Sequence, residues 1–334
     1  MRYNTEKMMT EFTALEYIKL GAANAFGLDK EIWSKRLDWF EENKNDLYSI
    51  AGKADEPFQY IKACKAYEDA LNGIPTGYCV GFDSTASGVQ MFAALSNCKV
   101  TAAKVNLVKD DQRHDLYKEM GKALAMDVPR QDLKDAIMTF FYSSESEPER
   151  VFGERINEFI TLMRKELPGA FATMQVLKTM QVHIGESYEL KTPDGFDVLI
   201  RQKVIEEKRV ECSMGHKGLE NWNAKQQIKV FGPKKRDRSI PANVAHICDG
   251  WVVRNLTKRC HALGFDMYHV HDCFFCSPKH MNKLRYEYKK LLAELSESNY
   301  LYEVVKSLSG KDVPALKGDG SLAEHIMGSD YAIC

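Results

Sequence analysis

Apolar and polar positions follow two different periods along this chain. "EIWSKRLDWFEENKNDLYSIAG" places apolar residues at Ile32, Leu37, Phe40, Leu47 and Ile50, which predicts an amphipathic helix closed at Gly52. It lies in a first segment, about residues 8–72, that reads mostly as helix. A turn punctuated by Gly73, Pro75 and Gly77 leads into the strand-like "YCVGFDSTASG", and helical patterns fill about 111–180. "TPDGFDVLIRQKVIEEKRVEC" reads as a turn followed by strands. A second helical stretch covers about 240–264, "FDMYHVHDCFFCSP" reads as buried strand, and a further helix covers about 279–297. Short, separate strands among helices predict an α+β fold rather than a doubly wound parallel sheet.

Composition widens this little. With 334 residues, 44% hydrophobic and 28% charged, the chain is long enough for a large core divided into two or three lobes. No run of about 18 uncharged apolar residues occurs, so no membrane span is expected. The first twelve residues carry Arg2, Glu6, Lys7 and Glu11 and lack the apolar core of a signal peptide. Nine cysteines, an odd number without framework spacing, read as reduced thiols of a cytoplasmic protein. A net charge of −1 does not announce nucleic-acid binding, although a groove can be basic locally.

The candidate chemistry begins with two acids. Asp83 ends the apolar run "GYCVGFD" and precedes the small residues "STASG"; Asp272 follows His271 in a second strand-like segment. Two carboxylates brought together by a fold can hold a pair of Mg²⁺ ions for phosphoryl transfer. Each would equally serve to cap a turn. Next, Arg130, Lys134, Met138 and Tyr142 step by four after Pro129 and share roughly a third of a helix surface. Two cations on one turn suit a polyphosphate, and an aromatic hydroxyl further along suits a sugar. A solvated basic edge with a core tyrosine accounts for the same spacing. Cys260, His261, His269, His271, Cys273 and Cys276 offer half of a zinc site, but a second Cys-x-x-Cys is missing and strand alternation puts neighbours on opposite faces.

Taken in order, these segments resemble the single-subunit RNA polymerases of phages and mitochondria, whose right-hand fold is shared with family A DNA polymerases. "GFDSTASGVQMFAAL" is similar to their first palm motif, "RQDLKDAIMTFFYSS" to their fingers motif, and "HDCF" to their second palm motif, His-Asp-Ser-Phe. The connecting pieces "KVNLVKDDQRHDLYKEM", "TPDGF", "IPANVAHICDGWVVRNL" and the terminal "GSDYAIC" resemble the family as well, so the likeness runs from about residue 14 to the end.

The resemblance implies an α+β right-hand fold with palm and fingers, lacking the N-terminal domain and most of the thumb. It divides the chain into a first part of the palm with preceding helices (1–110), fingers (111–195), a hairpin or loop contacting template or promoter (196–240) and a second part of the palm (241–334). It implies that Asp83, Asp272 and the backbone carbonyl of Ser84 hold two Mg²⁺ ions, with no organic cofactor. Arg130 and Lys134 would grip the incoming phosphates, Lys134 also donating a proton to pyrophosphate. Met138 would belong to the same nucleotide site. Tyr142 would be the sugar gate with His246 its partner, Tyr117 would stack near the templating base, and His271 would support the primer. Three positions depart from the usual pattern. Ser84 and Ser143 stand where the family has Gly, implying a small geometric effect and a stiffer helix end, and Asp135 replaces a second cation. A family A-like DNA polymerase is the near alternative, but that family places a Glu shortly after the first palm acid, where this chain has small residues.

Relatives also carry an Asp-x-x-Gly-Arg element, and no Gly-Arg dipeptide occurs in this chain. The expectation is the large C-terminal subunit of a split phage enzyme, working in the host cytoplasm of an infected bacterium. Its partners would be DNA template, RNA product, ribonucleoside triphosphates, a second subunit supplying the missing parts, and a single-stranded-DNA-binding or promoter-opening accessory protein. Lys234, Lys235, Arg236 and Arg238 offer phosphate contacts or a solvated loop.

Overall fold

The computed structural model describes residues 9–180, 187–212, 222–232 and 239–334. The basic run at Lys234, Lys235, Arg236 and Arg238 therefore lies outside the described residues. Helix α1 (Ala14–Ala23) opens on a capping box: the Thr13 hydroxyl accepts from the Glu16 amide, and the Glu16 carboxylate accepts from the Thr13 amide. Helices α2 (Trp33–Asn43) and α3 (Pro57–Leu71) close a small core of Ile18, Ala22, Phe40, Leu47, Tyr60 and Ala63. The helix predicted to continue to Gly52 stops at Asn43. The polar run Asn43–Asp46 takes the chain into turns, from which Leu47 still reaches the core.

Strand β1 (Val80–Asp83) leads into α4 (Ser87–Leu95). Every residue of α4 from Val89 to Leu95 is buried, so this helix is the axis of the main core. Helices α5 (Lys99–Lys104), α6 (Leu116–Ala123), α7 (Arg130–Phe141), α8 (Ser146–Phe152), α9 (Ile156–Glu166) and α10 (Pro168–Thr179) follow. The turn Thr192–Phe196 joins the antiparallel strands β2 (Ser187–Lys191) and β3 (Asp197–Arg201), as "TPDGF" predicts. Strands β4 (Lys203–Cys212) and β5 (Trp222–Phe231) form a second, longer antiparallel pair. Then come α11 (Ile240–Ala262), β6 (Met267–Val270), β7 (Cys273–Cys276), α12 (Met281–Glu297), α13 (Tyr300–Ser309) and α14 (Ala323–Gly328). The architecture is α+β, with short antiparallel sheets set among helices.

One sheet positions the acids. Its order is β1-β7-β6, all antiparallel, with Phe82 opposite Phe274 and Asp83 opposite Cys273. Phe82 and Phe274 face the main core, while the ring of Phe275 lies across Gly81, where even a methyl group would collide at 2.1 Å. The segment read as buried strand is buried only in β7. In β6, Tyr268, His269 and Val270 are exposed, because β6 is the sheet's outer edge. Beyond α14 the last residues run beside β1. The Asp83 amide donates to the Cys334 carbonyl, the Cys334 amide to the Asp83 carbonyl at 3.0 Å, and Ser84 bridges Ile333. Arg285 and Lys289, both fully buried on α12, hold this tail through the carbonyls of Asp330, Met327 and Ser329 at 2.7–2.9 Å. No helix among the described residues is long and apolar enough to cross a membrane.

Candidate active site

Strand register brings the two acids together. Asp83 is the last residue of β1, and Asp272 is the second residue of the two-residue turn between β6 and β7, whose flanking residues Val270 and Cys273 pair. His271, the first turn residue, has φ of 54°, the left-handed conformation that such tight hairpins require. The Ser84 amide donates to the Asp272 carbonyl at 3.0 Å, so the two motif backbones are joined directly. Asp83 and Asp272 line one cleft with Ser84, Tyr117, Arg130, Lys134, Met138 and Tyr142.

The cleft holds charge that the protein does not neutralise. Protein on most sides strips hydration from the Asp83 carboxylate, although its edge stays open to the cleft. Together with the charge of Asp272 this pushes its pKa up to about 6, against the pull of Lys30 and Lys134. Among the described residues, neither carboxylate receives a hydrogen bond or an ion pair, and no backbone amide donates to the Ser84 carbonyl. Two bare carboxylates beside a bare carbonyl are oxygen donors of the kind that take a hard divalent cation, which fills its remaining positions with water and phosphate oxygens. The donor set therefore fits Mg²⁺. The zinc alternative does not: among the described residues no three His, Cys, Asp or Glu side chains are arranged to hold a metal, and His269 is exposed while Cys260 and Cys276 are buried.

Opposite the acids, α7 presents its face stepping by four. Lys134 makes no ion pair among the described residues. Arg130 does: its Nε and Nη2 meet the two carboxylate oxygens of Asp115 at 2.8 and 3.3 Å, and its guanidinium lies 5.3 Å above the Tyr117 ring. Asp115 also caps α6 through the Lys118 amide. Burial alone would raise its pKa, but Arg130 and that amide bring it below the ordinary carboxylate value. Tyr142 follows the last residue of α7, and its hydroxyl lies over Gly88; a methyl group there would sit 2.7 Å from it. The Tyr142 and His246 rings are 5.3 Å apart. Ser143 is buried at φ 66°, which is why glycine suits this position. The Ser84 side chain turns inward, 2.9 Å from the Tyr288 hydroxyl.

Sequence reading missed three groups here. Asp115, within "DQRHDLY", carries no sequence signal that pairs it with Arg130. Asp249 stands one turn beyond His246 on α11, and burial together with the Asp272 charge pushes it up to about 7. Its i, i+3 spacing from His246 was the available signal. Cys334 reaches the cleft, its thiol 3.2 Å from Arg113 Nε; burial would raise that thiol, but Arg113 and Arg36 bring it down to about 7.

The sequence profile of the DNA-dependent RNA polymerase family matches residues 9–147 and 150–314. The mitochondrial DNA-directed RNA polymerase of Homo sapiens is 23% identical over 318 residues, covering 78% of this chain and 26% of that protein. A probable DNA-directed RNA polymerase of Neurospora crassa is 40% identical over 118 residues, or 32% of this chain and 13% of the relative. The DNA-directed RNA polymerase of Enterobacteria phage K11 is 27% identical over 114 residues, or 30% of this chain and 13% of the relative. The chain thus spans about a quarter or less of the length of these three relatives.

Proposed function

The chain belongs to the family of DNA-dependent RNA polymerases, and on that premise we propose that its cleft performs template-directed RNA synthesis. In this nucleotidyl transfer an RNA 3′-oxygen bonds to the α-phosphorus of a ribonucleoside triphosphate, the α–β phosphoanhydride bond breaks, and pyrophosphate leaves. The carrying observation is the pair of acids, Asp83 and Asp272, sharing one cleft with Lys134, none of them ion-paired among the described residues.

Asp83, Asp272 and the Ser84 carbonyl would hold two Mg²⁺ ions, which when bound lower the pKa of the attacking hydroxyl and offset charge on the leaving group. Lys134 and Arg130 orient the triphosphate, Lys134 as a point charge able to give a proton to pyrophosphate, Arg130 through its fork. Met138 packs against the same nucleotide. Tyr142 and His246 meet the ribose, and Gly88 leaves room for the Tyr142 hydroxyl. Tyr117 flanks the templating base and His271 supports the primer end. The right-hand division into palm and fingers, with 196–240 as a hairpin near the template, is part of this reading. So is a second subunit that brings the Asp-x-x-Gly-Arg element, with an accessory single-stranded-DNA-binding protein on a phage template. Full processivity of this chain alone on a long template would remove the second subunit from it.

The test is primer extension on an assembled RNA–DNA scaffold with Mg²⁺, offering ribo- and deoxyribonucleotides separately, with Asp83→Asn and Asp272→Asn as controls. Ribonucleotide addition lost in both variants supports the reading. Preference for deoxyribonucleotides assigns the site to DNA synthesis instead.

A further inference from the structure

A chain of fully buried polar side chains runs from the core to the backbone of Asp272. It starts at Gln90 on α4, whose Nε2 donates to the carbonyls of Val105 at 3.0 Å and Ala332 at 2.9 Å. Those two bonds fix which way the amide points, so Gln90 Oε1 is left to accept, and it does so from the Tyr288 hydroxyl at 2.8 Å. With its proton committed there, the Tyr288 oxygen can only accept. The Ser84 hydroxyl lies 2.9 Å from it and 3.1 Å from the Asp272 carbonyl. The serine has one proton for two acceptors, and the Asp272 carbonyl already takes the Ser84 amide at 3.0 Å. Gln90 is 0%, Tyr288 1% and Ser84 6% exposed, so bulk water has little access; the donor directions of Gln90 and Tyr288 are set, and the single Ser84 proton is shared between Tyr288 and the Asp272 carbonyl.

The position of this chain matters because the Asp272 turn is otherwise weakly held. It ends a hairpin whose outer strand β6 is an exposed edge, and its first residue sits in the left-handed region. We infer that the Ser84–Tyr288–Gln90 chain is a positioning device that fixes the Asp272 turn against the end of β1, with Tyr288 on α12 as its distant positioning residue. The inference rests on the reading of Asp83 and Asp272 as the cation-holding pair. It extends that reading to a residue that touches neither substrate nor cation.

Tyr288→Phe and Ser84→Ala test it, each alone and combined. The first readout needs no metal: hydrogen exchange at the Ser84 amide, whose bond to Asp272 reports the turn. The second is binding of Mn²⁺ alone, followed by the resonance of the free ion, with Asp83→Asn and Asp272→Asn locating the site. Exchange about tenfold faster and Mn²⁺ affinity about tenfold weaker in either single variant are expected, as for other residues that orient metal ligands, with the double variant no worse than the singles. A lower melting temperature with Ser84 exchange and Mn²⁺ affinity both unchanged would overturn the inference and leave the three residues as core filling. If Mn²⁺ uptake is indifferent to Asp83→Asn and Asp272→Asn, the two-acid reading fails instead, and Ser84 exchange alone then decides whether the turn is positioned as described.

Discussion

The two walls of the cleft store different things. On the acid wall, Asp83 and Asp272 face open space with no hydrogen-bond or ion-pair partner among the described residues, and the Asp83 pKa stands at about 6 because lost hydration and the neighbouring charge outweigh the pull of Lys30 and Lys134. On the cation wall, Arg130 is already satisfied by both oxygens of Asp115, and Lys134 has no ion pair among the described residues. On the proposed reading, the acid wall is incomplete until a cation arrives. On the same reading the cation wall is half complete beforehand, and Arg130 would exchange one carboxylate for another anion. A binding site built this way gains most from the cation on one side and pre-shapes the cation-bearing helix on the other.

The largest effect belongs to the acid wall. Asp83→Asn or Asp272→Asn removes a charge that the protein itself does not replace, so nucleotide addition should fall by about 10³-fold or more with folding intact. Lys134→Gln should cost on the order of 10²–10³ in the rate of addition, as for other groups that stabilise developing charge. Arg130→Gln should cost less, about tenfold, because the wild-type guanidinium gives up Asp115 to meet a phosphate. Equal losses at Arg130 and Lys134 would break the comparison between the two cations.

Asp115→Asn sharpens it. Asparagine still caps α6 but releases the charged fork, so nucleotide affinity should rise about threefold to tenfold when measured by direct binding. Weaker binding would show that Asp115 holds Arg130 in its working position rather than competing for it.

Much of this arrangement was legible from sequence. The face of α7 could be read because helical periodicity is local, and the acids stood out because each interrupts an apolar run. That they meet could not be read from spacing: it depends on β1 pairing with β7 across more than half of the chain. The same limit hid the Asp115 fork, the inward turn of Ser84 toward Tyr288, and Asp249. The first two are contacts between elements with no signature inside either, whereas Asp249 had only its spacing from His246 to mark it. The exposure of β6 was misread for a related reason. An apolar pattern looks alike at the centre and at the edge of a sheet, and strand order decides which it is. The early stop of α2 was local, and the cluster Asn43–Asp46 carried the signal.

The acid wall also predicts a pH dependence. Asp83 has a raised folded pKa, so the cation-free folded chain holds a proton that the unfolded chain releases. Its contribution to stability is full below the ordinary carboxylate value of about 4 and is lost as pH rises toward about 6, with Asp249 extending the loss toward about 7. Melting temperature without divalent cation should fall over that window, and Mg²⁺ should restore it at the upper end. A flat profile would mean the acids are solvated as ordinary surface groups.

The smallest effect tests what the cation wall stores. Ser143 closes α7 in the left-handed region with its hydroxyl buried and without a partner among the described residues, so its strain is of backbone rather than charge. Replacing it by glycine removes the Cβ penalty and the orphaned hydroxyl at once, against the greater freedom of glycine in the unfolded chain. Ser143→Gly should therefore stabilise by about 1 kcal/mol, read from denaturant unfolding. The gain should be the same with and without Mg²⁺, since the cation acts on the other wall. A gain that depended on Mg²⁺ would mean the two walls are mechanically coupled through Tyr142, whose hydroxyl rests on Gly88, the second residue of the helix that follows the first acid.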